Sequence, residues 1–246
     1  MYNTFIFQPL YNGLVALMNI PGIDMGLAVI IFTVAVRFIL YPISKSALLT
    51  QVRMKEVEPE LNKIKSQYAN DKQLQAKKMM ELYKEKNIKP FSGVLLLLIQ
   101  LPILFALIYV FYGVVPVVKP ELLYSFIQVP VAHISLLGLD LTGKSLILSL
   151  LTGVIQFFQL HYSLASHQTR LAAKNGAKPG TSTADMMANM NNNMKFFMPV
   201  LAFASVYWII PSQFPQAASI IALYWSVSTL FTLAQELYVR KKLLKI

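Results

Sequence analysis

Cysteine is absent from the 246-residue chain. Its absence excludes a disulfide framework, a cysteine-ligated metal site and a thiol nucleophile. Charged residues are also scarce, at 13% of the chain, whereas a soluble domain carries about 25%. Hydrophobic residues make up 56%, so the composition predicts an integral membrane protein.

Acidic residues are few, 11 against 22 Lys and Arg, which gives a net charge of +11. A basic chain suggests nucleic acid as a binding partner. The basic residues of this chain, however, are unevenly distributed. Eleven fall between Lys45 and Lys89, four between Arg170 and Lys195, and four in the C-terminal RKKLLK. Nearly uncharged segments alternate with these clusters, which is typical of basic cytoplasmic loops. We therefore interpret the charge as a sign of membrane topology rather than of a nucleic-acid site.

Signatures of catalysis are missing as well. The chain has no HExxH, no GxSxG and no glycine-rich phosphate loop, and its three histidines are scattered. The predicted crossings hold no Asp or Glu at membrane depth, because Asp24 lies at the start of the first crossing and Glu236 at the edge of the last one. Proton-coupled transporters usually carry such intramembrane acids. The sequence therefore predicts a protein that is not an enzyme, with no cofactor, no metal and no small-molecule substrate.

Five apolar stretches are long enough to cross a bilayer, which needs about 20 residues. The basic segments between them are placed inside and the uncharged ones outside, so the N-terminus lies outside and the C-terminus in the cytoplasm. The predicted fold is an all-α integral membrane protein with five transmembrane helices. In chain order, its segments are an outer interfacial segment 1–22, a first crossing 23–48, a cytoplasmic antiparallel helical hairpin 49–90, a second crossing 91–116, an outer loop 117–144, a third crossing 145–166, a cytoplasmic loop 167–194, a fourth crossing 195–211, a fifth crossing 216–238 and a basic cytoplasmic tail 239–246.

The N-terminal stretch FIFQPLYNGLVALMN is apolar but only about 15 residues long, too short to span a bilayer. It lacks the basic start and the small-residue cleavage site of a signal peptide. Pro9 and Gly13 break its pattern. We expect a segment that lies in the outer interface, and a loose N-terminal lead-in is the alternative.

The polar segment Gln51–Asn87 is rich in Lys and Glu. Apolar residues recur at 3-4-3-4 spacing through Met54, Val57, Leu61, Ile64 and Tyr68. A weaker pattern continues through Ala76, Met80, Tyr83 and Asn87. Such spacing predicts two antiparallel helices packed along a narrow apolar seam, which would form a mobile basic lobe. The alternative is one solvated helix followed by a linker.

Arg37 lies within an apolar run, Ile23 to Ile43, of the first predicted crossing. A charge at the centre of such a helix costs about 2.5–3.5 kcal/mol on insertion scales, so it should face protein or water rather than lipid. Thr33, Arg37, Tyr41 and Ser44 share one helical face. Because no acidic residue is available as a buried partner, we expect a water-filled cavity around Arg37 that opens to one side.

Other crossings carry matching polar stripes. These are Ser149, Thr152, Gln156, Gln159 and Ser163 in the third crossing, and Trp225, Ser228, Thr232 and Gln235 in the fifth. The second crossing contributes Gln100, followed by Pro102. Interhelical hydrogen bonds of about 0.6 kcal/mol each are the alternative explanation. Two long stripes together with an arginine favour a shared hydrophilic cavity, which would also suit a channel or a small-solute transporter.

Several of these stretches carry a family likeness. They are MGLAVIIFTVAVRFILYPIS, KPFSGVLLLLIQLPILFALIYVFY, LLGLDLTGKS, FFMPVLAFA and LYWSVSTLFTLAQ, in this order along nearly the whole chain. The chain resembles the YidC/Oxa/Alb family of membrane protein insertases in its compact bacterial form. The combination of R-x-x-x-x-P in the first crossing with F-S-G and Q-L-P around the second is specific to it.

The resemblance implies a five-helix insertase in the bacterial plasma membrane. Its positively charged groove would open to the cytoplasm and to lipid and be closed outside. Arg37 matches the family's groove arginine, Gln100 and Trp225 fall where the family lines its groove, and the lobe matches the family's substrate-receiving hairpin. Thr229 stands where the family often has Asn. The candidate groove residues are Arg37, Thr33, Tyr41, Gln100, Gln156, Gln159, Trp225, Ser228, Thr229, Thr232 and Gln235.

Partners also follow from the resemblance. Family members insert and fold small nascent membrane proteins without a nucleotide of their own, either alone or with the Sec translocon. The tail after Gln235 is short, so any contact with ribosomal RNA would use the basic loops and RKKLLK.

Overall fold

The structure, a computed structural model, describes residues 3–89, 98, 105–114, 118–130, 134–175 and 183–243. Over these residues the chain is mainly helical with almost no sheet, which confirms the predicted all-α class. The helices are α1 (Gln8–Met18), α2 (Met25–Ile39), α3 (Tyr41–Glu56), α4 (Glu58–Gln67), α5 (Lys72–Glu85), α6 (Phe105–Val114), α7 (Leu146–Asn175), α8 (Thr183–Ala204), α9 (Ile210–Gln213) and α10 (Ala218–Leu243). Two short strands, β1 (Ser135–Leu136) and β2 (Leu139–Asp140), pair antiparallel.

Among the described residues, three helical segments are long and apolar enough to cross a membrane. They are Leu146–Ser163, Asn193–Gln213 and Ala218–Lys241. A fourth is counted if Met25–Ile39 and Tyr41–Thr50, which are interrupted at Leu40, form one broken span. The predicted second crossing falls largely outside the described residues, which include only α6 and Leu98 from it. The count of five crossings stays a prediction.

The helices form two compact units. The first contains residues 1–38 and 103–234, and the second contains residues 39–102 and 235–246. The core of the first unit brings together α1, α2, α6 and α10, with fully buried side chains that include Leu14, Val29, Val110 and Ile220.

Helix α1 is an integral part of the first unit. Tyr11, Leu14 and Val15 are fully buried, so the alternative of a loose lead-in is wrong. Pro9 lies in the first helical turn, where its missing N–H removes no intrahelical bond. Gly13 lies mid-helix, and a Cβ there would approach the Phe32 ring to 3.1 Å. A small residue at this position therefore lets α1 pack closely against α2.

Polar side chains at and near α1 form hydrogen bonds with residues 119–128, which follow α6 in the chain. The Asn12 amide nitrogen donates to Leu122 O (3.0 Å), and its Oδ1 accepts from Tyr124 N (2.7 Å). The Tyr11 hydroxyl accepts from Lys119 N (2.7 Å). Asn19 donates to Gln128 O (2.8 Å). Because backbone groups must be paired when buried, these side chains stabilise a segment that has little regular structure of its own.

Helices α7 and α8 pack along each other, and their contact is close at Gly153. A Cβ at this glycine would lie 3.2 Å from Pro199 O and 3.3 Å from Phe203 Cβ. Small residues allow such close approach between helices in membranes. The outer faces of both helices stay exposed and apolar, as Leu150, Phe158 and Val200 illustrate.

The second unit contains the helical hairpin of α4 and α5. Asp71 caps α5, because its side chain accepts from Gln73 N (3.1 Å) and Leu74 N (2.9 Å). The helices pack around a small core formed by Val57, Leu61, Leu82, Tyr83 and Ile88. Two separate helices with a shared core exclude the alternative of one solvated helix and a linker.

The seam runs as predicted along α4 and through Tyr83 on α5, which is 8% exposed, but not through the other predicted residues of α5. Met80 is 42% exposed and Asn87 is exposed, so the predicted continuation through these residues is wrong. Asn87 adopts a left-handed conformation with φ 51°. There Ile88 N donates to Tyr83 O (2.8 Å) and Asn87 N to Lys84 O (3.1 Å), the Schellman arrangement of a helix C-terminus. The turn directs Ile88 rather than Asn87 into the core.

Candidate functional site

Arg37 lies in the last turn of α2 and is half-buried. Its Nη2 donates to the hydroxyl oxygen of Ser228, on α10. Ser228 is only 4% exposed. The Arg37 guanidinium is thus held by a neutral acceptor. This acceptor lies on another helix, and the two residues are 191 positions apart in the sequence.

The end of α2 is a favourable place for a cation. The helix stops at Ile39, and α3 begins at Tyr41 with Pro42 as its second residue. Proline is tolerated in a first helical turn but cannot continue the hydrogen bonding of a preceding helix. The carbonyl groups at the end of α2 carry the negative end of the helix dipole, which stabilises a nearby cation by about 0.3–1 kcal/mol at exposed sites. The five-residue spacing from Arg37 to Pro42 therefore places the positive charge near the C-terminal end of α2.

No carboxylate of the described residues forms an ion pair with Arg37. Glu236, the acid at the edge of the last predicted crossing, is 3% exposed and pairs with Arg240 one turn along α10. The charge of Arg37 is therefore oriented by Ser228 without being neutralised by it.

Helices α7 and α10 are joined by a ladder of polar contacts. The hydroxyl oxygens of Thr152 and Ser226 lie 2.9 Å apart, and Thr152 Oγ1 lies 3.3 Å from Ala222 O. One turn along α7, Trp225 Nε1 donates to Gln156 Oε1 (3.4 Å). Gln156 Nε2 in turn donates to Gln159 Oε1 (3.2 Å).

The polar stripe of α7 divides into two parts. Ser149 and Thr152 are each 1% exposed, and their hydroxyls donate to Ser145 O (2.7 Å) and Leu148 O (2.8 Å) of their own helix. Gln156 and Gln159 are half-buried. Thr152, which also contacts Ser226 on α10, therefore fits the alternative explanation of an interhelical hydrogen bond, whereas the glutamines retain accessible polar surface.

The stripe of α10 divides in a similar way. Thr232 is half-buried, and its hydroxyl donates to Ser228 O (2.9 Å). Gln235 belongs to the second unit and is 6% exposed; its amide donates to Ser44 Oγ (2.8 Å). Two long polar side chains of the predicted groove, Arg37 and Gln235, thus each contact a serine hydroxyl of another helix.

The other predicted groove residues are placed as follows. Thr33 is 1% exposed and donates to Val29 O (2.6 Å) of its own helix. Tyr41 is half-buried in the second unit, and Thr229 is buried at 9% exposure. Gln100 lies outside the described residues. The structure therefore brings together Arg37 with Ser228 and Gln156 with Gln159 and Trp225, and the groove roles of all these residues stay predictions.

Three titratable groups of the hairpin lobe have a displaced pKa. The hydrogen bond from Lys78 to Glu81 (2.8 Å) raises the pKa of Lys78 and lowers the pKa of Glu81. Burial raises the pKa of the Tyr83 hydroxyl. These shifts keep the ordinary charges at neutral pH, so the lobe stays basic.

Sequence reasoning missed the contacts of α1 and the pair of Thr152 with Ser226. The signal for the first was an asparagine, Asn12, within an otherwise apolar stretch. Within the described residues, no cluster of three His, Asp or Glu side chains is placed to hold a metal ion.

The long apolar helices define the class of the protein, a multi-pass helical membrane protein with polar side chains between its helices. A family model described as 60Kd inner membrane protein matches residues 16–245. The chain belongs to this family.

Curated relatives of the chain carry the name membrane protein insertase YidC. The relative from Clostridium perfringens is 32% identical over 238 residues, which cover 96% of this chain and 87% of that protein. The relative from Fusobacterium nucleatum is 30% identical over 220 residues, which cover 89% and 87%. The relative from Haemophilus influenzae is 29% identical over 234 residues, 94% of this chain but 36% of that longer protein. The resemblance seen in the sequence is therefore confirmed, and the relatives support the role of a membrane protein insertase.

Proposed function

We propose that the protein inserts small nascent membrane proteins into the bacterial plasma membrane and assists their folding. Family membership supports the general role. The observation that carries the mechanism is the half-buried Arg37, which is held by the neutral hydroxyl of Ser228. A cation in this environment attracts an acidic side chain that must pass through the membrane.

The proposed mechanism relies on differential burial rather than on bond chemistry. A substrate hairpin with a short translocated segment enters a water-filled groove from the cytoplasm. Water and Arg37 lower the free energy of its polar residues at membrane depth. The apolar part of the substrate moves sideways into lipid, which is favourable by about 25 cal/mol per Å² of apolar area removed from water. The polar end then has a shorter distance left to cross.

The proposed groove is lined by the eleven residues selected from the sequence, and the structure adds a distinction among them. Gln156, Gln159, Trp225 and Thr232 are half-buried, so a substrate would contact these residues beside Arg37. Thr33 and Gln235 are almost fully buried and hydrogen-bonded. We propose that these two support the groove rather than contact the substrate.

The proposed topology has five crossings with the N-terminus outside and the C-terminus in the cytoplasm. It rests on the alternation of basic and uncharged segments. The short helix α1 then lies at the outer side as part of the first unit, and the basic hairpin lobe lies in the cytoplasm.

Partners are proposed on the same basis. The lobe receives substrates, and the basic loops and tail contact the ribosome. The protein assists the Sec translocon in the folding and lateral release of membrane proteins. A basic surface suits these roles because its attraction to anionic partners accelerates association.

Reconstitution of the purified protein into liposomes tests the proposed function. The substrate is a small, single-crossing membrane protein with an acidic translocated segment, and its insertion is measured by protection from added protease. Insertion by the wild-type protein well above that of empty liposomes is expected. Absence of insertion, together with solute uptake or ion conductance, would instead favour the channel or transporter.

A further inference from the structure

Two serines of α10 make different contacts. Ser226 pairs with the Thr152 hydroxyl across the α7 interface (2.9 Å), and both residues are almost fully buried. Ser228, two residues further along, accepts a hydrogen bond from Arg37. Both serines are buried, at 2% and 4% exposure. They differ in that only the second contacts a half-buried charge.

Two other hydroxyl groups near Arg37 along the chain donate to carbonyl groups of their own helices. The Thr33 hydroxyl, one turn before Arg37, donates to Val29 O (2.6 Å). The Thr232 hydroxyl, one turn after Ser228, donates to Ser228 O (2.9 Å). The oxygen of Ser228 accepts the hydrogen bond that holds the Arg37 guanidinium against α10.

The neutrality of the acceptor matters. An arginine has several rotatable bonds and five N–H donors in a planar fork. A carboxylate partner would fix the fork but would also neutralise its charge. A serine hydroxyl fixes one N–H group and leaves the positive charge and the remaining donors available to another acceptor.

We propose that Ser228 is a positioning residue that sets the depth at which Arg37 meets an acidic side chain of a substrate. This inference rests on the proposed function. It makes Ser228 a determinant of which substrates are accepted, because a fixed guanidinium favours an acidic residue at one place in the translocated segment. Without the Ser228 hydroxyl, the Arg37 side chain samples several rotamers. The preference for an acidic residue at one position of the substrate then weakens.

A series of substrates tests the inference. Each carries a single Asp at successive positions of the translocated segment, and insertion is measured in liposomes with the full-length protein. The wild-type protein should show one preferred position. Ser228→Ala should lower insertion at that position by about threefold to tenfold, the effect of losing one typical intramolecular hydrogen bond, and should flatten the profile. Ser228→Thr, which keeps the hydroxyl, should restore the preference.

Ser226→Ala is the matched control. It removes a buried interhelical hydroxyl from the same helix without touching Arg37, so its profile should keep the wild-type maximum. The thermal stability of both variants is also measured in detergent. A change in the insertion profile that is caused only by lost stability can then be recognised. A Ser228→Ala profile with the wild-type maximum, or one matched by Ser226→Ala, would overturn the inference.

Arg37→Ala separates this inference from the proposed function. If Arg37→Ala retains the wild-type profile, the proposed role of the arginine fails and the role of Ser228 fails with it. If Arg37→Ala loses the preference while Ser228→Ala keeps it, the proposed function stands and the positioning role alone is wrong.

Discussion

The backbone N–H of Tyr124 donates to Oδ1 of Asn12, 2.7 Å away, and so joins α1 to a segment 112 residues further along the chain. The same asparagine donates to Leu122 O (3.0 Å). At 2% exposure, Asn12 has little access to water that could replace these bonds. The contact explains why an apolar stretch too short to cross a bilayer forms part of the core.

Asn12→Ala should lower the free energy of unfolding by about 1–3 kcal/mol, because it leaves partly buried backbone groups of Leu122 and Tyr124 unpaired. Thermal unfolding of the purified protein in detergent measures the change. Asn19→Ala is the control: Asn19 is exposed and also donates to a distant carbonyl, Gln128 O. Water can replace that bond, so a loss as large as that of Asn12→Ala would contradict the explanation.

Gly26→Ala should destabilise the first unit by about 1–3 kcal/mol, the usual effect of overpacking. A Cβ at Gly26 would lie 2.5 Å from Leu136 Cβ and 2.9 Å from the Leu136 backbone. Gly113→Ala is the matched control, since its Cβ would meet the Tyr11 ring at an ordinary 3.4 Å. In a helix, that change gains up to about 1 kcal/mol of intrinsic propensity. Equal melting temperatures for the two variants would show that the close approach at Gly26 is not strained.

The pair formed by Thr152 and Ser226 should contribute stability rather than function. A double-mutant cycle with Thr152→Val and Ser226→Ala should give a coupling energy of about 0.6 kcal/mol, the average for such bonds in membrane helices. Insertion yield should stay at the wild-type level in all three variants. A specific loss of insertion at unchanged stability would place these hydroxyls in the groove instead.

The polar stripe of α7 shows which features of the site could be predicted from the sequence. The spacing of Ser149, Thr152, Gln156 and Gln159 correctly placed them on one face of a helix, because helical periodicity determines direction. Periodicity carries no information about which neighbour each side chain meets, so it did not separate the buried hydroxyls from the half-buried glutamines. Arg37 was identified because a charge in an apolar run is unusual by itself. Its partner Ser228 depends on the packing of two helices distant in sequence.

The same limit applies to the hairpin and to α1. The seam of α4 followed from its apolar spacing, but the left-handed turn at Asn87 depends on how α5 ends. The burial of α1 required contacts with residues more than 100 positions away. Such contacts are tertiary and leave no periodic signal.

Leu82→Ala should destabilise the hairpin lobe, because Leu82 is 8% exposed in its small core. Loss of a buried leucine side chain costs about 2–5 kcal/mol, a large effect for a core of this size. Limited proteolysis should cut the lobe faster while the membrane-embedded part resists. Met80→Ala, at a residue 42% exposed on the same helix, should leave the rate of cleavage unchanged. Faster cleavage of Met80→Ala than of Leu82→Ala would instead support the seam predicted from the sequence.

Arg37→Ala should reduce insertion of substrates with an acidic translocated segment, with the protein still present in the membrane. Arg37→Lys should retain more activity, because attraction of a carboxylate depends on charge more than on the planar fork, although the shorter reach to Ser228 would reduce it somewhat. Substrates whose acidic residues are replaced by Asn should depend less on Arg37, since the attraction acts between the two charges. Insertion yield in cells depleted of their own insertase measures all three effects. Equal yields for Arg37→Ala and the wild type with the acidic substrate would rule out a role for this charge, whereas equal loss with acidic and neutral substrates would indicate that Arg37 serves the fold rather than the passage of a carboxylate.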